Sequence, residues 1–467
     1  MGSLSRLCAS LAGVAASAAC LLPAPAASAA WASRLADDGS VEVQRGDRAP
    51  YRRFFPLGWY GGVYTDTGGR QFWGNLSASD VGEITRNGAN FLEIQYRLDG
   101  SPTNASRYDR FTAAVGQAHR DGLHVMVASH NEDVANRAFD RGPGTNPRYP
   151  EDLIGRGWQQ DGILMWSVED DADDFAFRDF GALQAKVARI KDRARDGGDG
   201  RPRLSYVSNT AYTRARIRGE ATNRQRSDLR SGLQTWMQNF DAVAFQGYAI
   251  DPLGDLFVFE EDGPSTKKRN PLSHHYKLAR AYVDAAEDAR GSGKDASVIA
   301  NIQAHRIARD TSRDDYGRFP TPEEVRNMFW SSLSAGVNGV IFYAWKESNA
   351  AVQGEAQALF ADAKRIQNRS LLTGTHRRIG LGDPNFLGGC YWVSGKTLTA
   401  VFVNHDGRDR YFEWRPPAAW RGASVTSRDA FGSDGRYERR PSYRANRSRV
   451  AGNLRANGVC VLELQRP

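Results

Sequence analysis

Short apolar runs punctuate the chain at Phe54–Tyr60, Asn90–Tyr96, Leu123–Ala128, Ile163–Val168, Leu204–Ser208, Ala242–Gln246, Ser297–Ile302 and Gly339–Trp345. Rich in branched and aromatic residues and too short for buried helices, they read as strands. Between most of them apolar residues recur at three- and four-residue spacing, predicting helices over Ser79–Asn87, Arg107–Arg120, Phe175–Arg195, Leu229–Asn239, Pro271–Arg290 and Thr321–Ala335. Thr321-Pro322-Glu323-Glu324 is a helix entry signal and Ala335-Gly336 an exit. Strands alternating with helices in this way predict an α/β fold, a (β/α)8 TIM barrel. A doubly wound open sheet fits less well, because no glycine-rich phosphate turn follows the first strand.

After about His376 the texture changes. Phe386–Val393, Thr397–Asn404, Arg410–Trp414 and Gly458–Leu464 alternate with turn residues and predict a small antiparallel β-sandwich. The expected organisation is a signal peptide over 1–30, the barrel over 31–375 and the sandwich over 376–467, packed directly on the barrel because no low-complexity linker intervenes. The arginine-rich stretch Arg436–Arg449 reads as a solvated edge or as a face for an acidic ligand.

Residues 1–30 contain Arg6, an apolar run over Leu7–Leu22, then Pro23-Ala24-Pro25 and the small-residue exit Ala27-Ser28-Ala29-Ala30. This is the pattern of a secretory signal cleaved after Ala29 or Ala30, so the expected location is secreted or periplasmic, with no membrane contact after cleavage. Of the four cysteines, Cys8 and Cys20 leave with the signal. Cys390 and Cys460 remain, with a structural role expected for both; an oxidising compartment would allow one disulfide between them, which the sequence does not decide. The net charge of +8 suits an acidic glycan, but no nucleic-acid motif accompanies it. No nucleic acid and no protein partner are expected.

The fourth predicted strand runs into Glu169-Asp170-Asp171-Ala172-Asp173-Asp174. Neighbouring like charges resist ionising together, so such a cluster costs stability unless it is used. Barrel enzymes present their acids at the carboxyl ends of strands. The plainer reading is a helix start capped by Asp173 or Asp174. Residues two apart on a strand share a face. One such set joins Glu93 with Gln95, Ser167 with Glu169 and Asp171, Gln246 with Tyr248, Asn301 with Gln303 and His305, and Tyr343 with Trp345 and Glu347. A purely structural barrel axis would hold branched aliphatics instead. Rings stack on the apolar faces of sugars while acids and amides bind hydroxyls, so carboxylates among aromatic side chains point to carbohydrate. The expected sugar contacts are Trp59, Tyr60, Glu93, His130, Gln246, Tyr248, Gln303, His305, Tyr343 and Trp345. Glu93 equally suits a buried partner for an arginine such as Arg97, and each tryptophan suits the core.

Particular fragments carry a resemblance: Phe54–Tyr60, Gly88–Leu92, Trp166–Ala172, Asp241–Ala244 leading to Tyr248, and Gly336–Trp345. With the order of elements, they resemble the (β/α)8-barrel glycoside hydrolases of clan-A-like type with a C-terminal β-sandwich. The resemblance implies a fourth strand ending Trp-x-x-x-(Asn or Asp)-Glu-Pro, the Glu acting as general acid/base. Here Asp170 stands at the Asn/Asp place, Asp171 at the Glu place and Ala172 at the Pro place. It also implies a nucleophilic Glu on the seventh strand, where this chain has Gln303 and His305. An amide cannot form a glycosyl ester, so an inverting reaction is expected, with one carboxylic acid protonating the leaving group and another carboxylate activating water.

The expectation is an exported glycoside hydrolase acting on an oligo- or polysaccharide without a cofactor. Asp171 or Glu169, beside Asp170, is the expected acid and Glu347 the expected base, with Asp251 and Glu132 behind them on loops. Two other readings use the same residues. A non-catalytic glycan-binding barrel would keep the aromatic lining, and a metal-dependent hydrolase would draw on His130, His305 and nearby carboxylates. Because paired ligand spacing is missing, no metal is expected.

Overall fold

The computed structural model describes residues 31–46, 48–61, 76, 78–96, 113–129, 162–169, 184–185, 187–188, 192, 202–209, 233–250, 271–306, 318–383, 385–431, 437–438, 444–445 and 449–466. The signal assigned to 1–30 lies outside them.

The first described residues form a small antiparallel sheet that the sequence reading did not anticipate: β1 (Trp31–Leu35), β2 (Val41–Arg45) and β3 (Arg52–Phe54). The turn joining β1 and β2 contains Gly39 at φ 78°, and a Cβ there would lie 2.4 Å from the Ala296 carbonyl oxygen, so only glycine fits. Eight parallel strands then close into a barrel: β4 (Leu57–Gly61), β5 (Phe91–Tyr96), β6 (His124–Ser129), β7 (Ile163–Glu169), β8 (Leu204–Asn209), β9 (Ala242–Gly247), β10 (Ser297–Gln303) and β11 (Gly339–Tyr343). Their order round the barrel is the order in the chain, with β11 pairing β4 to close it. The TIM barrel expected from the alternation is therefore present.

Period-two alternation divides each barrel strand between two environments. Leu57, Trp59, Leu92, Ile94, Val125, Val127, Val243, Phe245, Val298, Ala300, Val340 and Phe342 point outward into the main core under the helices. Phe91, Met126, Met165, Leu204, Tyr206, Ala242, Ala244, Ile299 and Ile341 fill the lower interior together with Val41 and Val43. The N-terminal sheet plugs that end of the barrel. Ser33 donates its backbone N–H to the Pro202 carbonyl at 3.0 Å, its hydroxyl accepts from Leu204 N at 3.1 Å, and that hydroxyl also donates to the Leu164 carbonyl.

The described helices are α1 (Ala78–Arg86), α2 (Pro271–Gly291), α3 (Pro322–Ala335) and α4 (Ala350–Ile366). Residues 113–120 and 233–239 are also helical. In α3 the entry signal acts as expected: the Thr321 hydroxyl accepts from Glu324 N at 3.3 Å while the Glu324 carboxylate accepts from Thr321 N at 2.8 Å. Gly336 at φ 105° ends the helix. No helix among the described residues is long and apolar enough to cross a membrane.

The C-terminal sheets are one of six strands, ordered β12 (Thr375–Arg378), β13 (Leu387–Ser394), β14 (Thr397–Asn404), β20 (Val459–Gln465), β16 (Ser424–Phe431) and β17 (Tyr437–Glu438), and one of three. The three are β15 (Arg410–Trp414), β19 (Val450–Leu454) and β18 (Arg444–Ala445), and the two sheets enclose their own core around Phe402, Phe412 and Leu462. The opposite face of the larger sheet merges with the barrel core through Trp392, Val401, Val403 and Val461. Asn327 of α3 donates its amide to the Asn404 and Asn457 carbonyls at 2.7 and 3.1 Å, and His405 stacks on Tyr276 at 4.6 Å. The sandwich is thus fused to the barrel rather than tethered.

This arrangement decides the question of the disulfide. Cys390 on β13 pairs with Val401 and faces the barrel, whereas Cys460 on β20 pairs with Phe402 and faces the sandwich interior. Strand β14 lies between them, so the Cα atoms are about 9–10 Å apart, beyond disulfide reach. Both cysteines are buried and neither is in a disulfide, and burial drives the Cys390 thiol pKa well upward. Thiol reagents should leave both cysteines untouched in the native protein and label both after denaturation, with identical migration under reducing and non-reducing conditions. Labelling in the native state would contradict this packing.

Buried histidines make the fold acid-sensitive. His275 of α2 sits between the Gly247 carbonyl at 3.2 Å and the Ser332 hydroxyl at 2.8 Å, and burial pushes its pKa down to about 4. Burial likewise lowers His124, His305 and His376 to about 4 and His405 to about 3. Unfolded imidazole takes up its proton near pH 6.5, so between that value and about 4 the unfolded chain binds more protons and acid favours it. Stability present above about pH 6.5 should therefore be lost toward pH 4, by up to about 3 kcal/mol for one such group. Urea midpoints across this range check it; a level midpoint would refute it.

Candidate active site

Above the apolar floor, the inward positions of the barrel become polar and aromatic. Ser167, Ser208, Gln246, Asn301 and Gln303 are all buried, and Glu93 is fully so. Register places Tyr60 beside Glu93, Asn301 beside Gln246 and Gln303 beside Tyr343. The amide of Gln246 donates to the Ser208 hydroxyl at 2.9 Å. Gln303 accepts from Ile250 N at 2.9 Å and donates to the His305 carbonyl at 3.2 Å. Its amide thus pins the segment after β9 to the end of β10. At the place where the resemblance implies a nucleophile, the side chain serves as a clamp.

At the mouth, Tyr60, Tyr248, His305 and Tyr343 form an aromatic group. Tyr343 lies 4.4 Å from Tyr60, 5.5 Å from Tyr248 and 4.7 Å from His305, ring centre to ring centre, and Tyr248 meets His305 edge-on at 5.1 Å. His305 donates from Nδ1 to the Tyr343 carbonyl at 3.1 Å, and its lowered pKa keeps it neutral near pH 7. Tyr248 is only half-buried.

Glu347 stands on the short 3-10 turn Trp345–Glu347 that follows β11. The turn is held from several sides. The Trp345 ring packs on Trp59 at 5.1 Å, and the Trp345 carbonyl accepts from the Ser348 hydroxyl at 2.9 Å and the Gln353 amide at 3.0 Å. Lys346 forms an ion pair with Asp80 in the first turn of α1. Glu347 is half-buried, and desolvation alone raises its carboxyl pKa to about 7. A carboxyl so displaced at a barrel mouth is suited to proton transfer near neutrality.

Of the expected sugar contacts, the structure brings together Tyr60, Glu93, Gln246, Tyr248, Gln303, His305 and Tyr343 along the axis. Two expectations are corrected. Trp59 points outward from β4, and Trp345 joins it in the core between strands and helices, because the alternation that would have turned Trp345 inward stops where β11 gives way to the 3-10 turn. Glu169 is the last residue of β7, at the carboxyl end of the strand. Its carboxylate and the residues Asp170, Asp171, His130, Glu132 and Asp251 lie outside the described residues. Among the described residues no three His, Cys, Asp or Glu side chains gather as a metal site requires. Sequence reasoning passed over Ser208 and Asp80. The alternation Leu204, Tyr206, Ser208 signalled the first; nothing local signalled the second, whose partner is 266 residues away.

No family model matches the sequence, and no curated protein matches it either. Solved structures do match in fold. One described as a glycoside hydrolase aligns with TM-score 0.57 at 12% identity over 93% of this chain and 97% of its own. A glycoside hydrolase family 5 protein from Bacteroides vulgatus gives 0.58 at 11% over 93% and 92%. An alpha-amylase from H. orenii gives 0.50 at 10% over 88% and 100%. The chain therefore shares the fold of solved glycoside hydrolases along nearly its whole length.

Proposed function

We propose that this protein is an exported glycoside hydrolase that cleaves an oligo- or polysaccharide by carboxylate acid/base catalysis. The observation that carries the proposal is Glu347, a carboxyl raised to about 7 on the turn that follows β11 at the barrel mouth, the same end of the barrel that holds the tyrosines and the neutral histidine. The solved glycoside hydrolases of the same fold support it. Below about pH 7 Glu347 holds a proton, so it suits the acid that protonates the leaving oxygen rather than the base expected from sequence. The acidic cluster Glu169-Asp170-Asp171 then supplies the base. Strands β7 and β11 lie four places apart in a ring of eight, on opposite sides of the barrel. That opposition favours the wider carboxylate separation of an inverting reaction, with room for water. The engaged amide of Gln303 favours it too, since no glycosyl ester can form there.

The test is sugar release from a panel of neutral and acidic polysaccharides by the mature protein, beside Asp171→Asn and Glu169→Gln, with NMR of fresh product. Release with the opposite anomer, lost in one of the variants, is the expected result. Retained configuration would rule out inversion. Glycan binding without any release would favour a non-catalytic barrel, which the retained aromatic lining also permits.

A further inference from the structure

Lysine 346 immediately precedes Glu347, and its ammonium is the nearest positive charge in sequence to the raised carboxyl. In a 3-10 turn adjacent side chains leave the axis about a third of a turn apart, yet the four-carbon stem of lysine can swing through that angle. An ammonium within about 4–6 Å would lower a carboxyl pKa by roughly one to three units. Here the Lys346 ammonium is paired with Asp80 of α1, whose carboxylate is mostly buried and sits where the helix N-terminus favours an anion, and desolvation, not charge, sets the Glu347 pKa. We propose that Asp80 is a positioning residue for Glu347: by binding the Lys346 ammonium on the helix side, it fixes the Trp345–Glu347 turn and keeps the adjacent positive charge away from the carboxyl.

The surroundings leave this task to Asp80. Among the described residues of the elements around the turn, β4 offers Tyr60, β11 offers Tyr343, and the end of β10 offers the neutral His305 and the exposed Arg306. On α1, Glu83 and Arg86 are exposed, and on α4 the first charge is Glu355, which Arg326 holds with two hydrogen bonds of 2.8 Å. None of these offsets the desolvation of Glu347. Any effect of Asp80 on turnover rests on the reading of Glu347 as the acid; its electrostatic effect on the carboxyl does not.

The test is the titration of the Glu347 side-chain carboxyl carbon by NMR in the full mature protein, which needs no substrate. Asp80→Asn should lower the Glu347 midpoint by about one to three pH units, Asp80→Glu should leave it near the wild-type value, and Asp80→Asn combined with Lys346→Met should restore it. Lys346→Met alone should leave the midpoint unchanged, because the ammonium is already withheld. An unchanged midpoint in Asp80→Asn, a lowered one that Lys346→Met fails to restore, or a raised one in Lys346→Met alone would overturn the proposal. If Asp80→Asn does not fold, Lys346→Met decides. A normal series with no hydrolysis would sink the proposed function and leave this inference standing.

Discussion

Replacing Glu347 by Gln should reduce turnover about 100- to 10,000-fold, the usual contribution of a positioned general acid. Glutamine matches the shape of the side chain but carries no transferable proton. Because the Trp345–Glu347 turn is held by Trp59, Ser348, Gln353 and Asp80 rather than by Glu347 itself, the variant should fold normally. The pH profile supplies a second, independent reading. A group that must be protonated works below its pKa, so wild-type turnover should fall tenfold per pH unit above about 7. The residual activity of Glu347→Gln should lack that limb. A change of less than about tenfold in turnover, or a variant that keeps the alkaline limb, would move the acid role to the β7 carboxylates.

Arg326→Ala should destabilise the barrel by about 3–5 kcal/mol, the cost of leaving one member of a buried ion pair alone. Arg326 on α3 binds Glu355 on α4 through two hydrogen bonds of 2.8 Å, and the two side chains are 8% and 12% exposed. The truncation strands the Glu355 carboxylate between α3 and α4, which pack on each other, with α3 against β10. The double variant Arg326→Met with Glu355→Leu should recover most of the loss, because apolar side chains of similar volume avoid the desolvation of both charges. Denaturant midpoints of the two variants check this, and equal losses in the single and double variants would show that helix packing, not the stranded charge, carries the cost.

Much of the architecture was legible in the chain itself. Alternation along Phe91 to Tyr96 or Ser297 to Gln303 is a local property of extended backbone, and the helical period over Pro322–Ala335 is a local property of the helix. The capping box at Thr321 and the glycine at 336 needed no tertiary knowledge. The N-terminal sheet was harder to see, because Trp31–Leu35 and Val41–Arg45 are short and become strands by pairing with each other beneath the barrel. The helix Ala350–Ile366 was likewise passed over, although Asn349 caps it by accepting from Val352 N at 2.9 Å.

The candidate site shows the same division. Sequence by itself determined that Glu93, Gln246, Gln303 and Tyr343 occupy one face of their strands, since side chains two apart must point the same way. Which face closes around the axis, and where a strand ends, depends on pairing between distant segments. That is why Trp59 and Trp345 turned out to be core, and why Cys390 and Cys460 ended on opposite faces of one sheet. The clamp made by Gln303 and the ion pair that takes Lys346 from Glu347 belong wholly to the tertiary structure. A side chain's charge is set by its sequence, but its pKa and its partners are set by what burial brings to it, and only the closed barrel decides that.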